Sequence, residues 1–427
     1  MTAPTPVVFA WLGMAVFSLV MYVCLDGFDL GIGMLLLLPR QGTDRKEMVE
    51  IVATAWDANE SWLVLAGIAL FGGFPLAYST WLPALYVPLV AMLLALIVRG
   101  VAIEYQSQSE RYDPAWGAVF AFGSLVAALC QGAIAGAVLP GIPVANRRFA
   151  GGPFTFAHPL SILTAAWLVG TYLLIGAAWL NDKTSGELQA WSKRVLRRGA
   201  APVTGLAAAA LLLGFVTGHG APHGVSPRLS AVIAAALASG AFFWAGARAT
   251  RGTADSLPFV WNELALLSVA LGFAACTYPY LVPPTVTFWQ AAAPATTVNV
   301  LLIGVGCCMP IVLAYNAYAY HVFRGKFVIP LPTQVVAMVP PRRMRRRSSP
   351  AATATLQASI AGVSETVTPL AWLRNVGWVA VWVVLYFFCL GAFGSVLGDR
   401  GTVAGILVLI AAMVAVWILT DRRDLVP

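Results

Sequence analysis

Residues 7–34 read VVFAWLGMAVFSLVMYVCLDGFDLGIGM, with no charge between Val7 and Leu25 and then two aspartates, Asp26 and Asp29, set among Gly27, Gly31 and Gly33. An apolar run of about 20 residues matches the roughly 30 Å hydrocarbon core of a bilayer when helical. The run lacks the alternation of a barrel strand, so a helix is expected. Similar windows recur at about 58–76, 80–103, 115–139, 159–180, 201–217, 229–247, 262–281 and 299–321, and two more at about 374–394 and 402–420. The reading is an all-α polytopic membrane protein: about nine transmembrane helices in two helical bundles, plus two extra C-terminal transmembrane helices.

Composition agrees. Only 10% of the 427 residues are charged and 59% are hydrophobic, with a mean hydropathy of +0.80, whereas a soluble chain is about one quarter charged. The net charge of +8 raises the question of nucleic acid, but the bases lie between spans, where they set topology. With the N-terminus outside, all 26 Lys and Arg except Arg147, Arg148, Arg228 and Arg400 fall on the inner side. That bias favours an odd number of spans and a cytoplasmic C-terminus. Met1 to Pro6 carry no base and no small-residue cleavage site follows, so the first span reads as retained. Cys24, Cys130, Cys276, Cys307, Cys308 and Cys389 sit in apolar stretches without C-x-x-C spacing and read as reduced packing residues.

Three regions follow: residues 1–328 hold the nine spans, 329–371 form a basic linker rich in Pro, Ala, Ser and Thr, and 372–427 a two-helix membrane extension. The linker contains PPRRMRRRSSP at 340–350, too poor in apolar surface to pack; its bases read first as a positive-inside stop, with contact to anionic lipid headgroups as the alternative.

Ionisable groups at membrane depth are costly and concentrate where a protein interior, a water-filled cavity or a partner receives them. Asp26 and Asp29 are three apart and share a helix face near the inner end of the first span, and the neighbouring glycines leave room for another backbone. A second cluster, WDANESW at 56–62, supplies Asp57, Asn59 and Glu60 between Trp56 and Trp62 at the entry of the second span. Two acids, an amide and a hydroxyl in five residues suit proton transfer. The plainer reading is a capping box, with Asp57 as N-cap and Glu60 in the first turn. Glu263 reads as a solvated helix start. His219 and His223 have a metal-compatible spacing, but Gly218, Gly220, Pro222 and Gly224 argue for a loop; metal ligands are expected nowhere in the chain.

The segments LDGFDLGIGM (25–34), WDANESW (56–62) and ALFGGFP (69–75) resemble the signature regions of subunit II of cytochrome bd-type quinol oxidases, including the cyanide-insensitive type. Arg99 to Tyr105 and YNAYAYHVFRGK (315–326) are also similar to that family, and the likeness covers residues 1 to 328. The resemblance implies a bacterial inner-membrane complex with a larger subunit I holding b-type haems and haem d or b, oxidising quinol and reducing oxygen to water. This subunit would bind no haem and hold no catalytic residue, but would scaffold subunit I and line a proton path with Asp26, Asp29, Asp57, Asn59, Glu60 and Glu104. A structural quinone in this subunit, a small single-span accessory subunit and lipid complete the implied partners. Residues 372–382 are loosely similar to such accessory peptides, but two spans are present rather than one, and the reading taken is an extension that packs against the bundle periphery. The alternative is a proton-coupled secondary transporter, for which Gly/Pro-broken spans at matching positions of two halves would be expected.

Overall fold

The computed structural model describes residues 5–327 other than 39, 41, 110, 147, 217–226 and 324. The linker at 329–371, the extension at 372–427 and the His219/His223 pair lie outside the described residues. Eleven helices and two small hairpins follow in chain order: α1 (Pro6–Leu35), α2 (Gly42–Ala53), α3 (Trp56–Gly73), α4 (Pro75–Gln108) and α5 (Pro114–Val138), then β1 (Val144–Ala145) and β2 (Arg148–Phe149). After them come α6 (Pro159–Lys183), α7 (Gly186–Val216), α8 (Pro227–Ala249), α9 (Leu257–Thr277), β3 (Tyr280–Val282), β4 (Val286–Thr287), α10 (Phe288–Ala291) and α11 (Ala295–Val322). Both hairpins are antiparallel.

Local chemistry sets several boundaries. Prolines open α1, α4, α5, α6 and α9, where a missing N–H costs nothing. The Asp113 side chain accepts the Ala115 amide at 2.7 Å to cap α5. Pro75 ends α3 at Gly73 and starts α4, so the break falls a few residues before the expected 76–80 connection. The capping-box expectation fails, since α3 begins at Trp56 with Ala55 as its N-cap and Asp57 already inside the first turn.

Seven of the described helices are long and apolar enough to cross a membrane: α1, α4, α5, α6, the Gly186–Gly214 part of α7, α9 and α11. The other two expected spans correspond to α3, whose first turn is polar, and to α8, whose apolar part is Ile233–Ala249. Two expected ends move. The first span reaches further inward than its uncharged run, which ends at Leu25, since α1 carries both aspartates onward to Leu35. The sixth was expected from 201, but α7 starts 15 residues earlier with an amphipathic segment. Hydropathy misses α2 because it has no apolar run. Its Lys46 Nζ donates to the carbonyls of Gln106 (2.8 Å) and Ser107 (3.0 Å) at the end of α4, favourable chemistry at a helix C-terminus.

α1 is the hub, packed against α3, α5, α6, α9 and α11, with α4 on α5 and α6 through α9 closing a second group. The core divides along α1 into two apolar clusters. Val8, Phe9, Trp11, Met14, Phe17 and Tyr22 belong to one, and Phe28, Leu30, Ile32 and Met34 to the other. Asp26 lies between them.

Candidate functional site

Tyr22, Asp26, Asp29 and Gly33 recur on α1 at spacings of four, three and four, which places them along one face. Gly31 meets α6: a Cβ there would strike the Tyr172 carbonyl oxygen, and one on Gly176 would lie 2.6 Å from the Gly31 carbonyl carbon. Backbone therefore touches backbone, and no other residue fits at either position. Gly27 lies under the Tyr172 ring, and Gly33 against Ser124 and Phe120 of α5. The glycines expected to thin α1 do so.

Asp26 is held by Arg99 of α4. Arg99 Nη1 donates to Asp26 Oδ2 at 3.1 Å and Nη2 to Oδ1 at 2.5 Å, and the two side chains are 0% and 1% exposed. Gly123 of α5 makes room, since a Cβ there would sit 3.1 Å from the Arg99 Cβ. Arg99 had been counted with the bases at the membrane boundary; it is a buried counter-charge instead. Its position inside the expected 80–103 span was the available signal, since a lone arginine in an apolar helix needs an acid.

Asp29 has different company. Its Oδ2 accepts from Asn59 Nδ2 at 2.8 Å, while Oδ1 has no hydrogen-bond partner among the described residues. Asn59 Oδ1 in turn accepts the Tyr320 hydroxyl of α11 at 2.7 Å. Asp29 and Asn59 are both wholly buried. Asp26 is thus a locked ion pair, and Asp29 is a carboxyl with one oxygen to spare. Tyr320 was not among the expected site residues, although it lies in YNAYAYHVFRGK (315–326), a segment noted only for its family likeness.

Tyr320 also lines a cavity of about 200 Å³ with Phe28, Thr54, Ala55, Trp179 and Lys326, large enough to admit water. Its rim is a short strap after α11, in which Phe327 N donates to the Lys183 carbonyl at 2.6 Å and Lys326 Nζ to the Asn181 carbonyl at 3.1 Å and to Asp255 Oδ2 at 2.9 Å. Lys193 Nζ reaches Asp255 Oδ1 at 3.2 Å. Partial burial works to raise the Asp255 pKa, but hydrogen bonds from Lys326, Gln189 and Lys193 hold it below the ordinary carboxylate value.

The remaining expected residues divide. Glu60 is half-buried, within electrostatic reach of Arg99, Asp26 and Asp57. Asp57 is exposed on α3, and Glu104 is exposed on α4, where Gln108 Nε2 donates to it at 2.5 Å. Neither joins the buried group within this chain. Trp62 is buried edge-on against Phe17, ring centroids 5.7 Å apart, and Trp56 covers Gly100 of α4. Both tryptophans pack the motif.

Two buried features went unforeseen. Gln131 of α5 joins two helices, its Nε2 donating to Tyr22 Oη and its Oε1 accepting from Tyr172 Oη, both at 2.7 Å. Glu263 of α9 is 6% exposed beside the Cys24 thiol, so the solvated helix start expected of it is wrong. α9 begins at Leu257, which carries Glu263 two turns inside the helix.

Comparisons with known proteins agree with this architecture. A family model described as cytochrome bd terminal oxidase subunit II matches residues 7–323. The chain is 28% identical over 358 residues to cytochrome bd-I ubiquinol oxidase subunit 2 of Escherichia coli K12, covering 74% of this chain and 94% of that one. It is 30% identical over 207 residues to cytochrome bd ubiquinol oxidase subunit 2 of Bacillus subtilis, covering 47% and 61%. The fold matches a chain of the bd oxidase from Geobacillus thermodenitrificans with a TM-score of 0.62 at 16% identity, over 75% of this chain and 99% of that one. The chain belongs to the cytochrome bd terminal oxidase subunit II family.

Proposed function

We propose that this chain is subunit II of a quinol-oxidising, oxygen-reducing complex in a bacterial membrane, scaffolding a haem-bearing subunit I and carrying to it protons taken from the cytoplasmic side. The observation that carries the reading is the connected run from the 200 Å³ cavity through Tyr320 and Asn59 to Asp29. Oxygen reduction to water consumes protons, and a buried carboxyl with a spare oxygen, linked through Asn59 and Tyr320 to a cavity with room for water, can take one up and release it. Asn59 and Tyr320 orient the Asp29 carboxyl, and Arg99 fixes the helix that carries it. The orientation rests on the charge bias of the connecting segments.

Asp57 and Glu60 extend the path outward. With Val64 and Ile68, which are 62% and 46% exposed, they mark one open face of α3. Charged groups at membrane depth face protein or water and not lipid, so this face is assigned to subunit I, with Asp57 and Glu60 as stations at the boundary. Glu104, exposed at the end of α4, remains a further station on the same reading. Haem belongs to the partner. His158 does not fit as a ligand, because its Nδ1 accepts the Ser161 amide at the start of α6. The names of the matched relatives support ubiquinol as the reductant class.

The test is Asp29→Asn and Asp57→Asn in the purified heteromer. The expected result is quinol-driven oxygen consumption lowered about tenfold or more, with the complex assembled and its haem spectrum unchanged. Wild-type turnover in both variants removes these residues from the path. Loss of haem would make the motif a structural polar network instead.

A further inference from the structure

The first half of α7 is built unlike any other span. Its sequence from Gly186 runs GELQAWSKRVLRRG, with Leu188, Ser192, Leu196 and Ala200 buried on one side and Lys193, Arg194, Arg197 and Arg198 crowded onto the other. Two of these four bases have work inside the subunit: Lys193 binds Asp255, and Arg197 Nε donates to Thr250 Oγ1 at 2.9 Å. Arg194 and Arg198 are exposed, and neither takes part in an ion pair or hydrogen bond among the described residues. They are four apart and so project from one helix face.

Between these two arginines and the end of α1 lies a cavity of about 360 Å³, lined by Leu38, Trp191, Arg194, Val195, Arg198 and Gly199. Its floor is apolar and its rim cationic. Leu37 and Leu38 are 42% and 41% exposed there, an apolar turn with no described residue of this chain above it. The Arg40 guanidinium sits 5.1 Å from the centre of the Trp191 ring, a cation–π contact that fixes the indole as one wall, while its charge is matched by Asp44.

Depth decides the occupant. Beyond Gly199 the helix is apolar from Ala200 to Val216, about 25 Å at 1.5 Å per residue, close to the hydrocarbon thickness. Arg194 and Arg198 therefore stand at the headgroup level of the bilayer, with Val195, Gly199 and Leu38 turned toward the acyl region. A soluble anion would have no use for that apolar floor, and a neutral amphiphile none for two unpaired guanidinium groups. Guanidinium forks match phosphate oxygens in geometry as well as charge.

We propose that this cavity binds one anionic glycerophospholipid, its phosphate bridged by Arg194 and Arg198, its glycerol region against Trp191, and an acyl chain laid over Leu38, Val195 and Gly199. The lipid would clasp the end of α1, a few residues beyond Asp29, to the entry of α7. The proposal stands apart from the proton path and holds or fails without it.

The test uses the purified heteromer stripped of lipid by detergent exchange. It is titrated with short-chain phosphatidylglycerol, with phosphatidylcholine of the same chain length, and with inorganic phosphate. The thermal midpoint and the number of lipids retained in native mass spectrometry are read for each. Phosphatidylglycerol is expected to raise the midpoint and to be retained, while the other two are not. An Arg194→Gln/Arg198→Gln variant is expected to weaken the apparent affinity about thirty-fold, the effect of two bases at an anionic surface. Arg248→Gln/Arg251→Gln, which removes two bases elsewhere, is expected to leave it unchanged. An equal loss in both double variants would reduce the effect to diffuse charge. A response to phosphate alone would make the site one for a free anion, and a wild-type complex indifferent to phosphatidylglycerol would mean that protein rather than lipid covers this face. Each of these results overturns the proposal.

Discussion

Replacing Arg99 by methionine tests the arrangement of the acids most directly. The substitution keeps the apolar stem and removes a guanidinium that makes two hydrogen bonds, at 3.1 and 2.5 Å, to a carboxylate that is 1% exposed. A half-buried peripheral pair such as Lys46–Glu50, at 15% and 29% exposure, still reaches water and contributes about 1 kcal/mol. Asp26 has no water to fall back on, so breaking its pair leaves an uncompensated buried charge, at a cost of about 3–5 kcal/mol. At 1.36 kcal/mol per decade this exceeds a hundred-fold shift in the folding equilibrium. The measurement is the unfolding midpoint of the complex in a denaturing-detergent titration, with haem absorbance as a second readout. Because the penalty belongs to the orphaned charge, Asp26→Asn/Arg99→Met is expected to recover much of the loss, and the double-mutant cycle to show strong coupling. If Arg99→Met alone is as stable as wild type, or if the double variant is no better than the single, the pair is not the buried lock described here.

Two further outcomes follow from geometry and charge. Gly31→Ala is expected to cost about 1–3 kcal/mol through overpacking against Tyr172 and Gly176, whereas Gly304→Ala on α11, where a Cβ meets nothing within 4 Å among the described residues, is expected to be neutral or stabilising; equal effects in the same unfolding titration would refute the close contact. Asp255, whose carboxyl is held below its ordinary pKa by Lys326, Gln189 and Lys193, contributes stability that is fully present above the unfolded-state value of about 3.9 and lost as pH falls through the lower folded value. Asp255→Asn should therefore be less stable than wild type at neutral pH and converge with it in acid, and a difference that persists unchanged with pH would show that the substitution acts through packing.

Much of the bundle was legible because lipid imposes a single rule, that apolar runs of sufficient length become helices, and the seven long apolar helices fall where hydropathy puts them. The errors have a common cause. A hydropathy window ends a span at its first charge, but α1 continues past Asp26 and Asp29 because Arg99 and Asn59 receive them from other helices, and α7 begins early because its amphipathic turns pack on one side only. The spacing of Asp26 and Asp29 correctly gave a shared face. It could not show that one would be neutralised by an arginine 73 residues away and the other held by an amide 30 residues away. Tyr320 and Gln131 escaped notice because aromatic and amide side chains are common in membrane helices and acquire meaning only when tertiary packing brings partners within 3 Å. Glu263 was misread because its helix starts at Leu257, earlier than the apolar window that suggested a boundary.

The Asp26–Arg99 pair also carries a timing problem for biosynthesis. The partners are separated by 73 residues, and a ribosome adding about 5–20 residues per second needs about 4–15 s to reach the second after making the first. During that interval the translocon handles an apolar segment with an aspartate toward its inner end, whose charge costs less than the ~2.5–3.5 kcal/mol of a central position but is still unfavourable. The counter-charge arrives on α4, itself a long helix with an arginine that needs the aspartate as much. Neither helix is at ease in lipid alone, so α1 and α4 have reason to enter the bilayer together, and the pair that locks the finished subunit also sets the order in which its helices can be released.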